Sequence, residues 1–464
     1  MLKRLASIFR PTTASAPCTR ALDAAGGGSR WAADPGMASF TADVAASGPT
    51  VRRRSAHYHR NNPWAARATA TLVANLVGAG VRPQSEAPAG LRELIDGAWS
   101  RWATSADASG RADFYGLQML ALRSIVETGE SFSLLRVSDA GNLAVQLLDV
   151  RQVDEALQRE LGDGRRIIAG VEIDELGLAL AYHILPTAPG DPWGRATQPV
   201  RIEASSVVHV FEQLAAGQLR GLPWLTSVLL RLSDLDAFED AELVRQKIAA
   251  MFAGFLTETD TTDPIFSGDK VGDKLMAEIQ PGTLKILPAG KDIKFAEPAQ
   301  TDGNYLPFVQ QQLRAIAAGI GVTYEQLTGD MTNVSYSSAR VALIEFRRRA
   351  EQLQQQLVVG QFSAPIWRRW LDLEVLAGRL PPEALGSTVR WVPPAWDWID
   401  PLKDCEAEQL AVANGFKSRG DVVRERGRDP DVVLAEIARD REAAAAAGLQ
   451  FAAVLPTAAK GEPE

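Results

Sequence analysis

Two histidines and a row of carboxylates are the side chains whose types and spacing could bind a metal ion. His57 and His59 stand two residues apart in the segment RRRSAHYHR. The carboxylates recur on one side of a helical pattern, at Asp234, Asp236, Glu239, Asp240 and Glu242. Imidazole and carboxylate are the ligands of many hydrolytic metal sites. The surrounding Arg52, Arg53, Arg54 and Arg60 oppose a bound cation, so we favour an exposed basic segment and a solvated or intersubunit acidic face.

The sequence lacks the usual motifs of nucleotide binding and of acyl transfer. There is no GxxxxGK[ST] loop, since Gly290–Lys291 is followed by Asp292, and there is no GxSxG elbow. We therefore predict that the chain is not an enzyme, hydrolyses no ATP and needs no cofactor. The two cysteines, Cys18 and Cys405, build no disulfide framework. The net charge of −8 argues against a broad grip on nucleic acid.

Arginine-rich helices and a soft loop are the remaining candidates for function. The segments EFRRRA and IWRRWL favour pairing within the helix with Glu345, Glu351 and Asp372, and contact with phosphate is the alternative. The eleven tryptophans favour packing at interfaces over stacking on bases. The loop is TGDMTNVSYSSAR, Thr328 to Arg340, and it precedes a long helical pattern. Ser337 or Ser338 is the predicted N-cap of that helix.

The elements that must position these residues follow from periodicity and from turn residues. Apolar spacing predicts helices over 63–82, 89–104, 111–128, 225–256, 304–320, 337–377 and 401–447, with Pro365 kinking or breaking the long one. Alternation predicts two hairpins over 130–212, with turns at Asp139–Asn142 and near Glu175–Gly177, followed by a further strand. Within 257–300 it predicts a short strand, a turn at Pro288–Gly290 and a second strand. The fold class is therefore α+β. Residues 11–50 favour a mobile arm, and no apolar run spans a membrane.

The order of several long segments resembles tailed-phage portal proteins of the lambda family. The resemblance runs from about residue 50 to 445. It is carried by RNNPWAARATATLVANLVGAGVRPQ, ETGESF, AGVEIDELGLALAYHI, VVHVFEQLAAGQLRGLPWL, DAELVRQKIAAMFAGF, QPGTLKILPAG, LRAIAAGIGVTYEQLTGDMTNVSYSSAR and IDPLKDCEAEQLAVANGFKSRGDVVRERGRDP.

The resemblance implies a ring of identical subunits, usually twelve, at one capsid vertex of the virion, assembled in the bacterial cytoplasm. It implies a portal-protein fold with long helices, a β-rich wing, a small β clip insertion and a helical crown. The corresponding parts are a mobile arm (1–49), the wing (50–224), a stem helix (225–256), the clip (257–300), a second stem helix (301–323), the tunnel loop (324–338), a long wing helix and connection (339–400), and the crown with a disordered tail (401–464).

The same resemblance implies the partners and the residues that meet them. Double-stranded DNA passes the tunnel loop without sequence specificity, and the expected residues are Gly329, Asp330, Thr332, Asn333, Ser335, Tyr336, Ser337, Ser338 and Arg340. The terminase large subunit and later the tail connector dock on the clip, at Asp269, Lys270, Lys274, Lys285 and Lys291. Major capsid and scaffold proteins are the other partners. No membrane is involved.

Acidic net charge is compatible with a channel through which DNA slides. If each of about twelve subunits neutralised one phosphate, the salt slope of binding would be about −11, a tight grip. Two other functions stay open from the residues alone. One is a metal-dependent nucleic-acid enzyme that uses the histidines and carboxylates. The other is a virion scaffold or adaptor without a DNA channel, in which the loop is an ordinary connector.

Overall fold

The computed structural model of this chain describes residues 39–449 apart from 193, 195–197, 251–253, 259–268, 272–273, 277–290, 296–304, 333 and 399. Its helices are α1 Phe40–Asn61, α2 Pro63–Leu76, α3 Ala89–Ala103, α4 Phe114–Thr128, α5 Leu229–Ala250, α6 Tyr305–Ile320, α7 Tyr324–Thr328, α8 Tyr336–Leu353, α9 Ala364–Leu376, α10 Pro401–Ala413, α11 Arg419–Glu425 and α12 Pro430–Ala446. Helices and antiparallel sheets occur together, so the α+β class is confirmed.

The strands form two larger antiparallel sheets and three short pairs. The strands are β1 Arg82–Ser85, β2 Glu130–Val137, β3 Leu143–Leu148, β4 Arg159–Gly162, β5 Arg165–Ile168, β6 Val171–Ile173, β7 Ala179–Ile184, β8 Val200–Glu203, β9 Val207–Phe211, β10 Gly254–Glu258, β11 Asp269–Val271, β12 Lys274–Met276, β13 Lys291–Phe295 and β14 Val389–Val392. One sheet has the order β3-β2-β9 and the other β4-β5-β6-β7-β8. The remaining pairs are β1-β14, β10-β13 and β11-β12.

The first helix begins earlier than the sequence pattern suggested. Ser39 caps α1 by accepting a hydrogen bond from the Ala42 backbone N–H, and Pro49 lies inside the helix. The prediction that a mobile arm extends to residue 49 is therefore wrong for residues 40–49, and residues 1–38 lie outside the described part. Asn62 then ends α1 and caps α2, whose first residue is Pro63 as predicted.

The main core lies between helices α2, α3 and α4 on one side and helices α8 and α9 on the other. Trp99 on α3 contacts Phe114 on α4 and both Trp367 and Trp370 on α9, with ring centroids 4.8 to 5.0 Å apart. Trp391 on β14 lies 6.4 Å from the same ring. Such aromatic pairs bury large areas and add specific edge-to-face contacts. The tryptophans of this cluster therefore pack the core of the subunit.

The β-rich unit over 130–212 is confirmed, with one correction in its second hairpin. The turn between β2 and β3 falls at Asp139–Asn142 as predicted, where Gly141 has a φ of 71°. The segment RRIIAGVEI was expected to run as one strand, but it folds back at Ala169–Gly170 into β5 and β6. Gly170 has a φ of 80°, and a Cβ there would lie 2.6 Å from the Asp154 carbonyl oxygen, so only glycine fits.

Helices α5 and α6 run antiparallel, and the short strands β10 to β13 lie between them in the sequence. Val228, just before α5, contacts Gly319 near the end of α6, whereas Phe238 stacks on Tyr305 at its start. The prediction of one helix over 225–256 is wrong at its end, because residues 254–256 belong to β10, which pairs with β13. A short apolar run fits a helix or a strand equally well, and its distant partner strand decides here.

The long helical stretch after the loop is unbroken. It runs from Tyr336 to Leu376, close to the predicted 337–377, through a π-helical segment over Gln354–Ser363. Pro365 cannot donate a hydrogen bond and would crowd the carbonyl one turn before it. The wider π turn just before it, in which the Ala364 N–H bonds to the Val359 carbonyl, accommodates the proline without ending the helix.

The C-terminal region, predicted to be helical over 401–447, consists of three helices. Turns after Asn414 and Arg426 separate α10, α11 and α12. No side chain of α10 or α11 is buried, and α12 buries only Ala444. Residues 450–464, the expected tail, lie outside the described part. Within the described ranges, no helix has both the length and the apolar character needed to cross a membrane.

Candidate functional site

The loop that the sequence singled out lies between two capped helices. Thr323 caps α7 through a capping box with Gln326, and Gly329 ends α7 with a φ of 75°. A left-handed glycine at this position closes a helix without strain. The first five residues of the expected tunnel loop, 324–328, are therefore helical, and the loop itself comprises residues 329–335. Its two ends are held by local hydrogen bonds that the sequence supplies.

Asp330 organises the first half of the loop. Its carboxylate accepts hydrogen bonds from the Thr332 N–H at 3.0 Å, from the Thr332 hydroxyl, and from the Tyr324 hydroxyl at 3.2 Å. The hydrogen bonds from Thr332 lower the pKa of Asp330. Arg314 of α6 lies over the Tyr324 ring, 5.3 Å from its centroid. The base of the loop is thus anchored to α6 and α7, while Met331 and Thr332 are exposed.

The second half of the loop begins α8. Ser335 is the N-cap, accepting from the Ser338 N–H at 3.2 Å, and the Ser338 hydroxyl donates back to the Ser335 carbonyl at 2.9 Å. The prediction that Ser337 or Ser338 caps this helix is wrong, because α8 begins at Tyr336 and both serines already lie in its first turn. Asn333 lies outside the described residues.

Arg340 connects the loop end of α8 to the C-terminal helices. Its guanidinium lies 3.5 Å from the Asp404 carboxylate of α10, and both side chains are partly exposed. The predicted loop residues therefore do not form one cluster. Asp330 and Thr332 bond to each other, Ser335 and Ser338 bond to each other, and Arg340 faces a different element.

The candidate clip residues fall on three strands. Asp269 and Lys270 are in β11, Lys274 is in β12, and Lys291 is in β13. In the β11-β12 pair, Lys270 lies opposite Leu275, and Val271 lies opposite Lys274. Lys285, together with the strand expected before the Pro288–Gly290 turn, lies outside the described residues.

The candidate metal ligands are separated by the fold. His59 is buried, with its Nδ1 2.5 Å from the Thr69 hydroxyl, and burial lowers its pKa to about 4. Arg52 is buried as well, so the prediction of an exposed basic segment is wrong for these two residues, although Arg53, Arg54, His57 and Arg60 are exposed. The two buried side chains and the four exposed ones lie on opposite faces of α1.

One carboxylate of the acidic row on α5 is hydrogen-bonded to the residue between α1 and α2. The Asn62 side-chain amide donates to Asp236 at 2.7 Å. Partial burial comes first among the causes that raise the pKa of Glu239, followed by the charges of Asp236 and Asp240. Across the described ranges, no three histidine, cysteine or carboxylate side chains are grouped as metal ligands.

Arg347 and Arg349 of α8 bond to other elements, and Arg349 also donates to Gln352 of its own helix at 3.3 Å. Arg347 donates to the Asp397 carbonyl at 2.8 Å and lies over the Trp396 ring, while Arg349 pairs with Glu212. Glu351 accepts from the Trp396 indole at 3.1 Å. The interpretation of i,i+4 pairing is therefore wrong for these side chains, because the long helix packs against other elements along this face.

A buried ionic network is the feature that sequence reasoning missed. Glu130, at the start of β2, accepts from the Arg220 guanidinium at 2.6 to 3.0 Å and lies 3.0 Å from Arg52 and from the His209 Nε2. Arg52 also pairs with Glu155 at 2.7 Å. The network joins α1, the β3-β2-β9 sheet, the segment before β4 and the loop before α5.

The charges of this network decide the protonation of its members. Burial by itself raises the pKa of Glu130, but the charges of Arg220 and Arg52 outweigh it and hold that pKa well below its usual range. Burial lowers the pKa of His209. A buried carboxylate between two guanidinium groups is strongly satisfied, so this network positions the elements and leaves no reactive group.

Only one signal in the sequence pointed toward the network. Glu130 is a charged residue at the start of a strand that otherwise buries its side chains, in the segment ETGESF. An acid in such a strand requires a buried cation. The sequence does not say which of its many arginines supplies that cation.

Comparison with known proteins gives the family of the chain. A family model described as "Phage portal protein, lambda family" matches residues 27–354. The chain is 28% identical over 415 residues to the "Probable portal protein" of Halomonas phage phiHAP-1, covering 84% of this chain and 80% of that protein. It is also 28% identical over 330 residues to "Portal protein B" of Escherichia phage lambda, covering 62% and 61% respectively.

Among solved structures, a chain from "Virion of native gene transfer agent (GTA) particle" overlaps with a TM-score of 0.47 at 16% identity, covering 83% of this chain and 94% of that one. The family assignment rests on the sequence matches. Because the family model matches more than half of the residues, the chain belongs to the lambda family of phage portal proteins, which are structural proteins of the phage and not enzymes.

Proposed function

We propose that copies of this chain form a closed ring, of twelve subunits as is usual for such rings, at one vertex of a phage capsid. The observation that carries this proposal is an uncovered apolar strip on the α5–α6 pair. Leu230 is 78% exposed and Leu306 62% exposed, and Leu243 and Val244 are exposed as well. Several large apolar side chains left open on one helix pair mark a protein interface.

The facing sides of α5 and α6 already pack against each other within one copy of the chain. Phe238 packs between Tyr305 and Phe308, and Arg231 donates to Gln312 at 2.6 Å. The outer strip has no such partner among the described residues. In a ring, the strip of each copy packs against a different face of the next copy, and closed cyclic symmetry leaves no strip uncovered.

The loop 329–335 is proposed to face the axis of that ring, where double-stranded DNA passes. Apart from Met331 and Val334, its residues are small and polar, and its base is held by Asp330 and Ser335. A loop without a lysine or arginine makes no ion pair with phosphate, so DNA slides past it without sequence preference. The long helix that follows supplies a rigid support.

The strands carried by α5 and α6 are proposed to dock partner proteins. In this proposal the terminase large subunit binds there during packaging, and the tail connector replaces it afterwards. Major capsid and scaffold proteins contact the β-rich unit from outside. Assembly takes place in the cytoplasm of the bacterial host, and the finished ring is part of the virion.

Electron microscopy of the purified chain tests the ring directly. Closed rings with a central hole are the expected result. A monodisperse monomer near 50.0 kDa over a wide range of concentrations would contradict the proposal. Rings without a hole would favour the scaffold or adaptor alternative.

Shortening the loop tests the channel separately from the ring. Deletion of Thr332–Val334 keeps the cap at Ser335, so ring yield is expected to stay unchanged. The length of DNA protected in assembled particles is expected to fall, because a shorter loop no longer reaches the DNA. A matched control deletes three residues from the exposed turn at Leu176–Leu178. Full-length DNA retained at normal yield by the first variant would show that the loop is only a connector.

Charge reversal tests the docking strands. Asp269→Lys, Lys270→Glu and Lys274→Glu together are expected to weaken binding of the terminase large subunit and to leave rings intact. Reversal of exposed charges on α12, at Asp440 and Arg441, is the control. Normal terminase binding by the first variant would move the docking surface elsewhere.

A further inference from the structure

An apolar groove opens between the end of α6, the middle of α8 and the loop before α5. It encloses about 360 Å³. Leu72, Pro223, Trp224, Ile320 and Phe346 are among its lining residues, and Leu214 at its edge is 59% exposed. Its charged residues, Glu212 and Arg349, already pair with each other. An apolar site without convergent free polar groups suits apolar side chains of a peptide better than a polar small molecule.

The chain enters the described structure right beside this groove. The Thr41 hydroxyl, in the first turn of α1, donates to the Gly217 carbonyl at 2.7 Å. Gly217 belongs to the same tight loop as Leu214, closed by Gln218, which accepts from the Leu214 N–H at 2.7 Å. The residues before Ser39 therefore start next to the groove edge.

We propose that residues 27–38 of the same chain occupy the groove, with Trp31 as the anchor. Trp31 precedes Ser39 by about eight residues, which reach up to roughly 26 Å when extended. Tethering so close raises the local concentration of this segment far above that of any free peptide. A bulky aromatic side chain in an apolar pocket is the usual anchor of such a contact.

One further observation favours this segment over the other apolar stretch of the N-terminus. The family match begins at residue 27, so it includes this segment and excludes Leu2–Phe9.

Disulfide formation between engineered cysteines tests the proposal. In full-length chain carrying Cys18→Ser and Cys405→Ser, Ala33→Cys is combined with Ser227→Cys on the exposed side of the groove. The expected product is a cross-linked single chain. Adding Trp31→Ser is expected to lower its yield about tenfold, the effect of losing about 1.4 kcal/mol of binding.

The alternatives give different products. Cross-linked dimers or ladders would show that the segment of a neighbouring copy fills the groove, and would overturn the same-chain assignment. A yield that does not depend on Trp31 would overturn the anchor, and no cross-link at all would overturn the docking.

Trypsin cleavage provides a second measurement without new cysteines. Arg30 lies inside the proposed segment, whereas Arg20 lies outside it. Leu214→Glu places a charge at the exposed groove edge. This variant is expected to raise cleavage after Arg30 relative to cleavage after Arg20 several-fold. An unchanged ratio would contradict the proposal, and it would leave the ring and channel untouched.

Discussion

Glu130 is the residue on which the buried ionic network depends. In Glu130→Gln, Arg220 keeps its charge in a buried site while losing its closest anion, and Arg52 loses one of its two carboxylate partners. We expect the free energy of unfolding to fall by about 3–5 kcal/mol, because an uncompensated buried charge is costly. Urea denaturation measures this change. Glu203→Gln, which removes the exposed partner of Arg201, is the control and is expected to leave the free energy of unfolding nearly unchanged. Equal losses would show that the network contributes no more than a surface pair.

His59 makes stability depend on pH. Burial lowers its pKa from 6.5 to about 4, so the unfolded chain takes up the proton first as the pH falls. The contribution of His59 to the free energy of unfolding is therefore complete well above pH 6.5 and is lost as the pH falls through 6.5 to about 4, by about 3 kcal/mol in total. His59→Gln, which keeps a polar group near Thr69, is expected to remove this part of the pH dependence. The exposed His57→Gln on the same helix should retain it, and identical pH profiles for the two variants would contradict the assignment.

At the scale of the element, the N-cap of α8 is Ser335 rather than the predicted Ser337 or Ser338. Ser335→Ala removes the acceptor for the Ser338 N–H, and we expect a loss of about 1 kcal/mol in the free energy of unfolding. Ser335→Asn restores an acceptor and is expected to be nearly neutral. Urea denaturation of both variants checks this. If Asn and Ala cost the same, the serine acts in some way other than capping.

At the scale of the whole molecule, the apolar strip on α5 and α6 is the surface through which neighbouring copies of the chain are proposed to meet. Leu306→Asp places a charge in the proposed contact between neighbouring copies, so the concentration needed for half assembly is expected to rise by tenfold or more. The unfolding of the separated subunit should hardly change, because Leu306 is exposed there. Native mass spectrometry gives the ring fraction.

The control for this experiment is Leu176→Asp. Leu176 is 94% exposed in the turn between β6 and β7, away from the strip. This variant should assemble like the original chain. If Leu306→Asp assembled equally well, the strip would not lie between subunits.

Local patterns determined much of the secondary structure. The helix predicted over 89–104, the Asp139–Asn142 turn and the long helix after the loop appear as the sequence indicated, whereas the helix predicted over 63–82 ends at Leu76, and Arg82 already belongs to β1. These features depend on side chains within one or two turns of each other, which periodicity and turn chemistry describe directly. The family resemblance was likewise carried by long segments, and the match over residues 27–354 confirms it.

The tertiary structure alone decided which distant residues meet. It paired β10 with β13, joined Arg52, Glu130 and Arg220 in one buried network, and opened a groove beside the first residues of α1. A strand, an arginine or a carboxylate has the same local pattern whichever partner it meets. Its partner depends on how the helices and sheets pack, and that packing follows from the burial of the whole core rather than from any single segment.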